Sequence, residues 1–406
     1  MHLLETMDTL RSLEEIFVKF SKPRIFRARE LLLPDYVPED LPHREKQILK
    51  LGSLLAPAMA GSRPSNIFIY GLPGTGKTAV TKYVLRKMLE KAGDRIQATY
   101  VNCRQNNTNY SVLFEICTQL GEKVPFTGLS LAELFKRMRR KIDSKASLVI
   151  VVLDEVDHLV KKNGDDLLYY LTRINLDLTR AKVSVIGVTN DLKFMEYLDA
   201  RVKSSLCEEE IVFPPYTYEE LEDILKKRAE QALNPGSYTE EAIRLCAAIA
   251  ARQKGDCRLA LDILLKAADL AELEGAPRIE ENHVSRAYKE LEKDVVVDLV
   301  KTMPLHAKLV LLSIIHLTKE KPKIIITGDV YRKYKDLCKK IGLDALTQRR
   351  VSDILSDLDT VGLISTKIVS LGRYGRTKRI KIAASEKAIL EGIKEDPTVS
   401  TLLPFP

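Results

Sequence analysis

The chain has 406 residues, is 45% hydrophobic and 30% charged, and carries a formal net charge of +8 at pH 7. That length is too great for one ordinary core, so two or three domains are expected. No run of about 18 uncharged apolar residues occurs, which excludes a membrane-spanning helix, and the six cysteines (Cys103, Cys117, Cys207, Cys246, Cys257 and Cys338) form no C-x-x-C pair, which implies neither a zinc site nor a disulfide framework.

Met1–Phe20 mixes Glu5, Asp8, Glu14 and Glu15 with apolar residues. That pattern does not fit a secretory signal, so the chain is expected to stay in the cytoplasm. The stretch reads equally as a short amphipathic helix or a frayed terminus. Phe26–Pro42 is rich in turn signals (Pro34, Asp35, Pro38, Asp40, Pro42), and Arg44–Leu55 resumes helical spacing. Tyr36–Arg44 suits either a loop that covers a purine or a plain linker.

Ile67–Tyr70 is an apolar run that reads as a buried strand. Gly71–Thr78 follows it as G-x-x-x-x-G-K-T, and Tyr83, Val84, Met88 and Leu89 continue with helical spacing. Strand, glycine loop and helix form the context that a phosphate-binding loop requires. Gly71, Gly74 and Gly76 let backbone N–H groups curl around phosphate oxygens, and the helix N-terminus adds its positive dipole end. Lys77 is placed to reach the β- and γ-phosphates, and Thr78 to offer its hydroxyl to Mg2+.

Ala98–Asn102 reads as a second strand; Tyr110–Leu120 and Ser130–Ile142 read as helices. Ser147–Leu153 is an unbroken apolar run that ends in Asp154 and Glu155. Such runs belong to parallel sheets buried on both faces, and their carboxyl ends are where open α/β sheets bind ligands. Asp154 is then a magnesium carboxylate and Glu155 the group that polarises an attacking water. Val183–Val188 is another strand. It ends at Asn190, which suits either a contact to the γ-phosphate or an ordinary turn. Alternation from Ile67 to Val212 predicts a doubly wound parallel sheet.

After Pro214-Pro215 the pattern is helical to Glu292. Arg258 follows Gly255-Asp256 at a helix start, from which it either points back to the nucleotide or lies on the surface. From Pro304, three helices (Leu305–Leu317, Gly328–Ile341, Gln348–Val361) and a hairpin (Leu363–Val369 with Lys378–Ile382) predict a winged helix-turn-helix. Recognition helices read DNA with their first residues, here Thr347, Gln348, Arg349 and Arg350. The hairpin tip carries Arg373, Tyr374, Gly375 and Arg376, which are placed for phosphate or the minor groove. Lys301–Leu390 holds 19 Lys/Arg against 8 Asp/Glu, a balance of +11, and leaves −3 for the remainder. The polyanion partner therefore belongs to the C-terminal part. Winged helices also dock proteins, so that reading stays open. The expected layout is an N-terminal extension (1–25), an α/β nucleotide-binding domain (26–214), a helical lid (215–295), an α+β winged helix (296–390) and a C-terminal tail (391–406).

Gly71–Thr78, Asp154-Glu155 and Asn190, followed by a helical lid, resemble the AAA+ ATPases. With the winged helix added, the chain resembles the archaeal replication initiators of the Orc/Cdc type. The resemblance also rests on Tyr36–Pro38, Leu41–Glu45, Leu198–Leu206, Phe213–Tyr216 and Gly255–Arg258. It implies that ATP or ADP with Mg2+ is the cofactor, and that Val37, Pro38 and Arg44 lie near the adenine. It adds Pro73, Thr75, Ala79, Tyr216 and Arg228 to the nucleotide contacts. Asn190 and Arg258 become the first and second sensors, and Arg201 lies in the stretch that offers an arginine to a neighbouring subunit. Two departures stand out. Ala200 replaces a usual proline, and Ser205 occupies the position where many relatives carry the arginine finger. The resemblance further implies a DNA-touching insertion within Gln105–Gly128. The partners it implies are double-stranded origin DNA, the replicative helicase and further initiator subunits, with the protein at the nucleoid. A nucleotide-gated transcription regulator and a clamp-loader-like assembly ATPase share this layout and compete with it.

Overall fold

A computed structural model of the chain describes residues 24–125, 127–144, 148–320, 324–370 and 376–403. Two compact units meet between Val284 and Ser285.

The first unit is built on five parallel strands in the order β2-β3-β4-β1-β5. These are β1 (Ile67–Gly71), β2 (Ile96–Asn102), β3 (Leu148–Asp154), β4 (Lys182–Thr189) and β5 (Glu209–Phe213). Every residue of β3 is buried, as its unbroken apolar run requires. Val149, Val151 and Leu153 join Phe68 and Val185 in the core on one face, whereas Ile150 and Val152 join Ile67, Ile69 and Ile186 on the other. Helices α1 (Glu45–Leu55) and α2 (Lys77–Ala92) cover the second face. Helices α3 (Asn109–Gln119), α4 (Leu131–Ser144), α5 (Val156–Asn163), α6 (Asp166–Arg173) and α7 (Ala200–Leu206) cover the first. Alternate side chains of a strand point to opposite faces, so a strand buried on both must be apolar throughout. All five strands run the same way, so the residues that follow β1, β3 and β4 gather at one edge.

The lid comprises α8 (Tyr218–Ala232), α9 (Glu240–Arg252) and α10 (Cys257–Glu274). The chain before β1 is anchored on it. Glu272 is buried and accepts the backbone N–H of Arg24 and of Ile25, each at 2.8 Å. Ile25 and Phe26 are buried, and Arg27 and Ala28 donate to the Ala232 carbonyl. The expected boundary between residues 25 and 26 is therefore corrected: this stretch belongs with the lid, because a buried carboxylate needs the donors it supplies.

In the second unit, α12 (Leu305–Glu320), α13 (Thr327–Lys340) and α14 (Gln348–Thr360) pack on an antiparallel sheet of order β6-β8-β7. The strands are β6 (Ile325–Ile326), β7 (Ile364–Ser370) and β8 (Arg376–Ile382). Helices α15 (Glu386–Lys394) and α16 (Pro397–Ser400) send Ile389, Ile393 and Val399 into the same core. The expected tail from 391 is therefore part of the domain. The expected boundary at 295/296 falls inside α11 (Glu281–Thr302). Among the described residues no helix is long and apolar enough to cross a membrane.

Candidate functional site

The loop between β1 and α2 lines a cleft of about 510 Å3, within the range of about 300–1,000 Å3 that small-molecule sites occupy. Gly76 precedes α2 at φ 90°, and no side chain caps this helix. Helices α1 and α5 likewise begin without a side-chain cap, whereas α3 and the three lid helices are capped. Thr108 caps α3, Thr217 caps α8, Thr239 caps α9 and Asp256 caps α10. The uncapped N–H groups of α2 are donors without a side-chain acceptor, which is what an anion requires. Gly74, at φ 67°, has a second reason to be glycine. A Cβ there would lie 1.7 Å from Asp256 Oδ1, and the Gly74 carbonyl accepts from Cys257 N at 3.2 Å. The lid helix is seated directly on the phosphate loop.

Lys77 is buried, and its ammonium donates to the carbonyls of Gly71 at 2.9 Å and Leu72 at 2.7 Å. Burial pushes its pKa down to about 8, although Asp154 opposes the shift. The Thr78 hydroxyl donates to Asp154 Oδ2 at 2.8 Å. The Tyr100 phenol donates to the same oxygen, and Glu155 N donates to Oδ1 at 2.9 Å. A hydroxyl beside a held carboxylate is a hard-oxygen pair. It fits Mg2+, which takes one or two carboxylates and completes its shell with phosphate and water. No group of three or more His, Cys, Asp or Glu among the described residues could hold a metal by itself.

Glu155 stands at φ 52°, ψ 41°, a strained conformation for a side chain with a Cβ. Its carboxylate has no hydrogen-bond partner among the described residues and faces the cleft. Asn190 also lines the cleft. Its neighbours are anchored: Thr189 Oγ1 donates to buried Asp157 at 2.7 Å, and Asp191 pairs with Lys161 at 2.5 Å. Of the Thr-Asn-Asp turn, the middle residue is the one presented.

Val37, Pro38, Pro73, Thr75, Ala79, Tyr216 and Arg258 line the cleft together with Leu31 and Pro34. The stretch before α1 is thus a wall of the site rather than a linker. Arg44 is not in the wall. It braces the loop from behind, with Nε donating to the Thr75 carbonyl at 2.9 Å and Nη2 to the Pro214 carbonyl at 2.8 Å. Its guanidinium stacks 3.5 Å from the Tyr216 ring centroid. Arg44, expected near the adenine, is set behind the loop with its donors committed to backbone. Arg228 reaches the wall, but it ties the Leu31 carbonyl to the lid at 2.8 Å and lies over the Tyr36 ring. Arg201 lies outside the cleft, exposed, paired with Asp199 at 3.0 Å and set against Tyr169. Sequence reasoning missed Tyr100, which has no motif around it.

In the second unit α14 begins at Gln348. Thr347 is its cap and accepts Arg350 N at 3.4 Å, so its hydroxyl oxygen serves the helix first. Gln348, Arg349 and Arg350 are exposed, and Arg350 lies 3.9 Å from Asp353. Two phenols of α13 hold the approach to this helix. Leu346 N donates to Tyr334 Oη at 3.1 Å, and Tyr331 Oη donates to the Leu346 carbonyl at 3.3 Å. Arg373, Tyr374, Gly375 and the Arg376 side chain lie outside the described residues.

Residues 60–195 match the family described as "AAA domain", residues 222–289 the "Cdc6 AAA+ ATPase-type lid domain", and residues 298–392 the "CDC6, C terminal winged helix domain". The chain is similar to ORC1-type DNA replication protein 1 of Sulfurisphaera tokodaii, at 52% identity over 96% of this chain and 98% of the relative. It is also similar to the Aeropyrum pernix ORC1 protein, solved in complex with DNA. There the identity is 47% and the TM-score 0.85, over 94% of this chain and 100% of that one. The Cdc6p of Pyrobaculum aerophilum is more distant, at 28% identity and a TM-score of 0.58 over 92% and 99%.

Proposed function

The chain belongs to the ORC1-type family of DNA replication proteins, and from that membership we propose that it is an ATP-dependent initiator. In this reading it binds double-stranded origin DNA, marks the origin and helps recruit the replicative helicase. The family and its AAA+ domain imply nucleotide binding and ATPase capability. Lys77 and the bare N-terminus of α2 bind the β- and γ-phosphates. Thr78 and Asp154 hold Mg2+, which when bound offsets phosphate charge. Glu155 orients the attacking water, Asn190 reports on the γ-phosphate, and Arg258 does so from the lid. Such phosphoryl transfer works by positioning and charge stabilisation. Hydrolysis is slow, because the switch needs occupancy rather than flux, and the protein works in the cytoplasm at the nucleoid.

Duplex is held by Gln348, Arg349 and Arg350 of α14, by Thr347 before them, and by the wing residues Arg373, Tyr374, Gly375 and Arg376. Arg201 is exposed where a second initiator subunit on DNA would meet it. One observation carries the reading: a phosphate cradle closed by its own lid helix occurs in the same chain as an exposed basic helix start on a winged fold. Footprinting on the organism's own chromosomal DNA, with ATP and ADP compared, tests it. Protection of repeats at a replication origin is expected. Protection confined to promoters would make the chain a regulator, and negligible duplex affinity would make it an assembly ATPase.

A further inference from the structure

Tyr100 lies on β2, which among the described residues pairs with β3 alone. An edge strand leaves backbone groups open on its outer side. At Tyr100 both groups are taken by one side chain. Tyr100 N donates to Gln119 Oε1 at 2.8 Å, and Gln119 Nε2 donates to the Tyr100 carbonyl at 2.9 Å. Gln119 is the last residue of α3 and is itself steadied by Glu115 at 2.7 Å. On the other side of the strand, the Tyr100 phenol donates to Asp154 Oδ2 while Lys82 Nζ sits 4.8 Å from the ring centroid. Tyr100 pairs in register with Val152, two residues before Asp154.

From this geometry we propose that Tyr100 is the positioning residue for the magnesium carboxylate, and that Gln119 sets Tyr100 in place. The inference rests on the nucleotide reading above. Asp154 Oδ2 has two hydroxyl donors, Thr78 and Tyr100. Thr78 is also the group that offers its oxygen to the metal, so it is not free to orient Asp154 alone. The phenol has no such second duty. It holds the carboxylate at the end of β3 in the orientation that the cation needs, as outer partners of metal ligands do. The support comes from α3, within the insertion Gln105–Gly128, so an element outside the nucleotide motifs bears on the metal carboxylate through one side chain and one strand residue.

The test is the affinity of the full chain for a fluorescent ADP, measured with Mg2+ and with EDTA. Tyr100→Phe keeps the ring and removes only the hydroxyl. Loss of one hydrogen bond to a charged group predicts about tenfold weaker binding in Mg2+, with the EDTA value held within about twofold. Gln119→Ala is expected to lose about threefold, again only with Mg2+, from a single displaced support, and to add nothing in the Tyr100→Phe background. A Tyr100→Phe protein that keeps its full magnesium increment overturns the proposal. So does an equal loss in both buffers, which marks a merely structural residue. Full additivity of the two variants removes Gln119 from it. A wild type that binds no nucleotide in either buffer refutes the underlying reading itself.

Discussion

Two helix starts, α2 and α14, both face a phosphate-bearing partner in the proposed function, and they are built in opposite ways. The N-terminus of α2 has no side-chain cap and follows a glycine at positive φ. Its reader is the backbone. The N-terminus of α14 is capped by Thr347, which satisfies the backbone and leaves Gln348, Arg349 and Arg350 exposed to do the reading. A backbone reader needs fixed geometry, so it is buried and braced, by Arg44 behind the loop and by Asp256 and Cys257 on top of it. A side-chain reader needs reach and solvent, so it is exposed and screened by salt. The first should fail abruptly when altered, and the second by degrees.

The largest effect expected is at Lys77. Lys77→Ala removes a buried cation whose hydrogen bonds join the loop to the end of β1, and it should weaken nucleotide binding by about 100-fold or more, as loss of a charge-assisted hydrogen bond predicts. Titration with a fluorescent nucleotide checks this, and an unchanged affinity would mean that the cradle is not the site. Next comes the pair Arg349→Ala with Arg350→Ala. Duplex affinity should fall by about 2 kcal/mol, with the salt slope reduced by about one for each phosphate no longer neutralised. Nucleotide affinity should not move, and a slope equal to wild type would deny these residues a phosphate role.

The burial of groups beside the cleft also predicts a pH effect that an exposed reader would lack. Asp262 lies on α10, one turn after Arg258, and burial raises its carboxyl to about 6. The unfolded chain releases that proton near pH 4, before the folded chain does. Stability is therefore lost as pH rises from about 4 to about 6, and the cost is constant above that. Asp262→Asn should raise unfolding stability by about 1–2 kcal/mol at pH 7, after discounting for partial exposure, and by only a few tenths of that at pH 4. Denaturant melts at the two pH values decide it. The smallest effect belongs to Tyr334→Phe, which removes the phenol that accepts from Leu346 N and pairs with His306 Nδ1 at 2.7 Å. Loss of the Leu346 contact should cost duplex affinity about 1 kcal/mol, the net worth of one hydrogen bond, while the His306 contact bears on the fold. A loss that appears in melting temperature but not in DNA titration would show that Tyr334 steadies the fold without aiming α14.

Much of the site was legible in the chain itself. Gly71–Thr78, the apolar run ending at Asp154, and the alternation through Val188 announce a nucleotide-binding parallel sheet, because loop chemistry and strand burial are local properties that leave a local pattern. The charge split and the three helices with a hairpin announce the winged helix for the same reason. Other features had to wait for the fold. Arg44 stands behind the phosphate loop, Arg24–Ala28 is anchored on the lid, and Tyr100 reaches Asp154. Each depends on which segments, distant along the chain, become neighbours. No periodicity records that β2 lies beside β3 or that α10 is seated on Gly74. Those adjacencies are set by how the whole sheet buries its two faces, and only after they exist do an unremarkable tyrosine and glutamine acquire a chemical position.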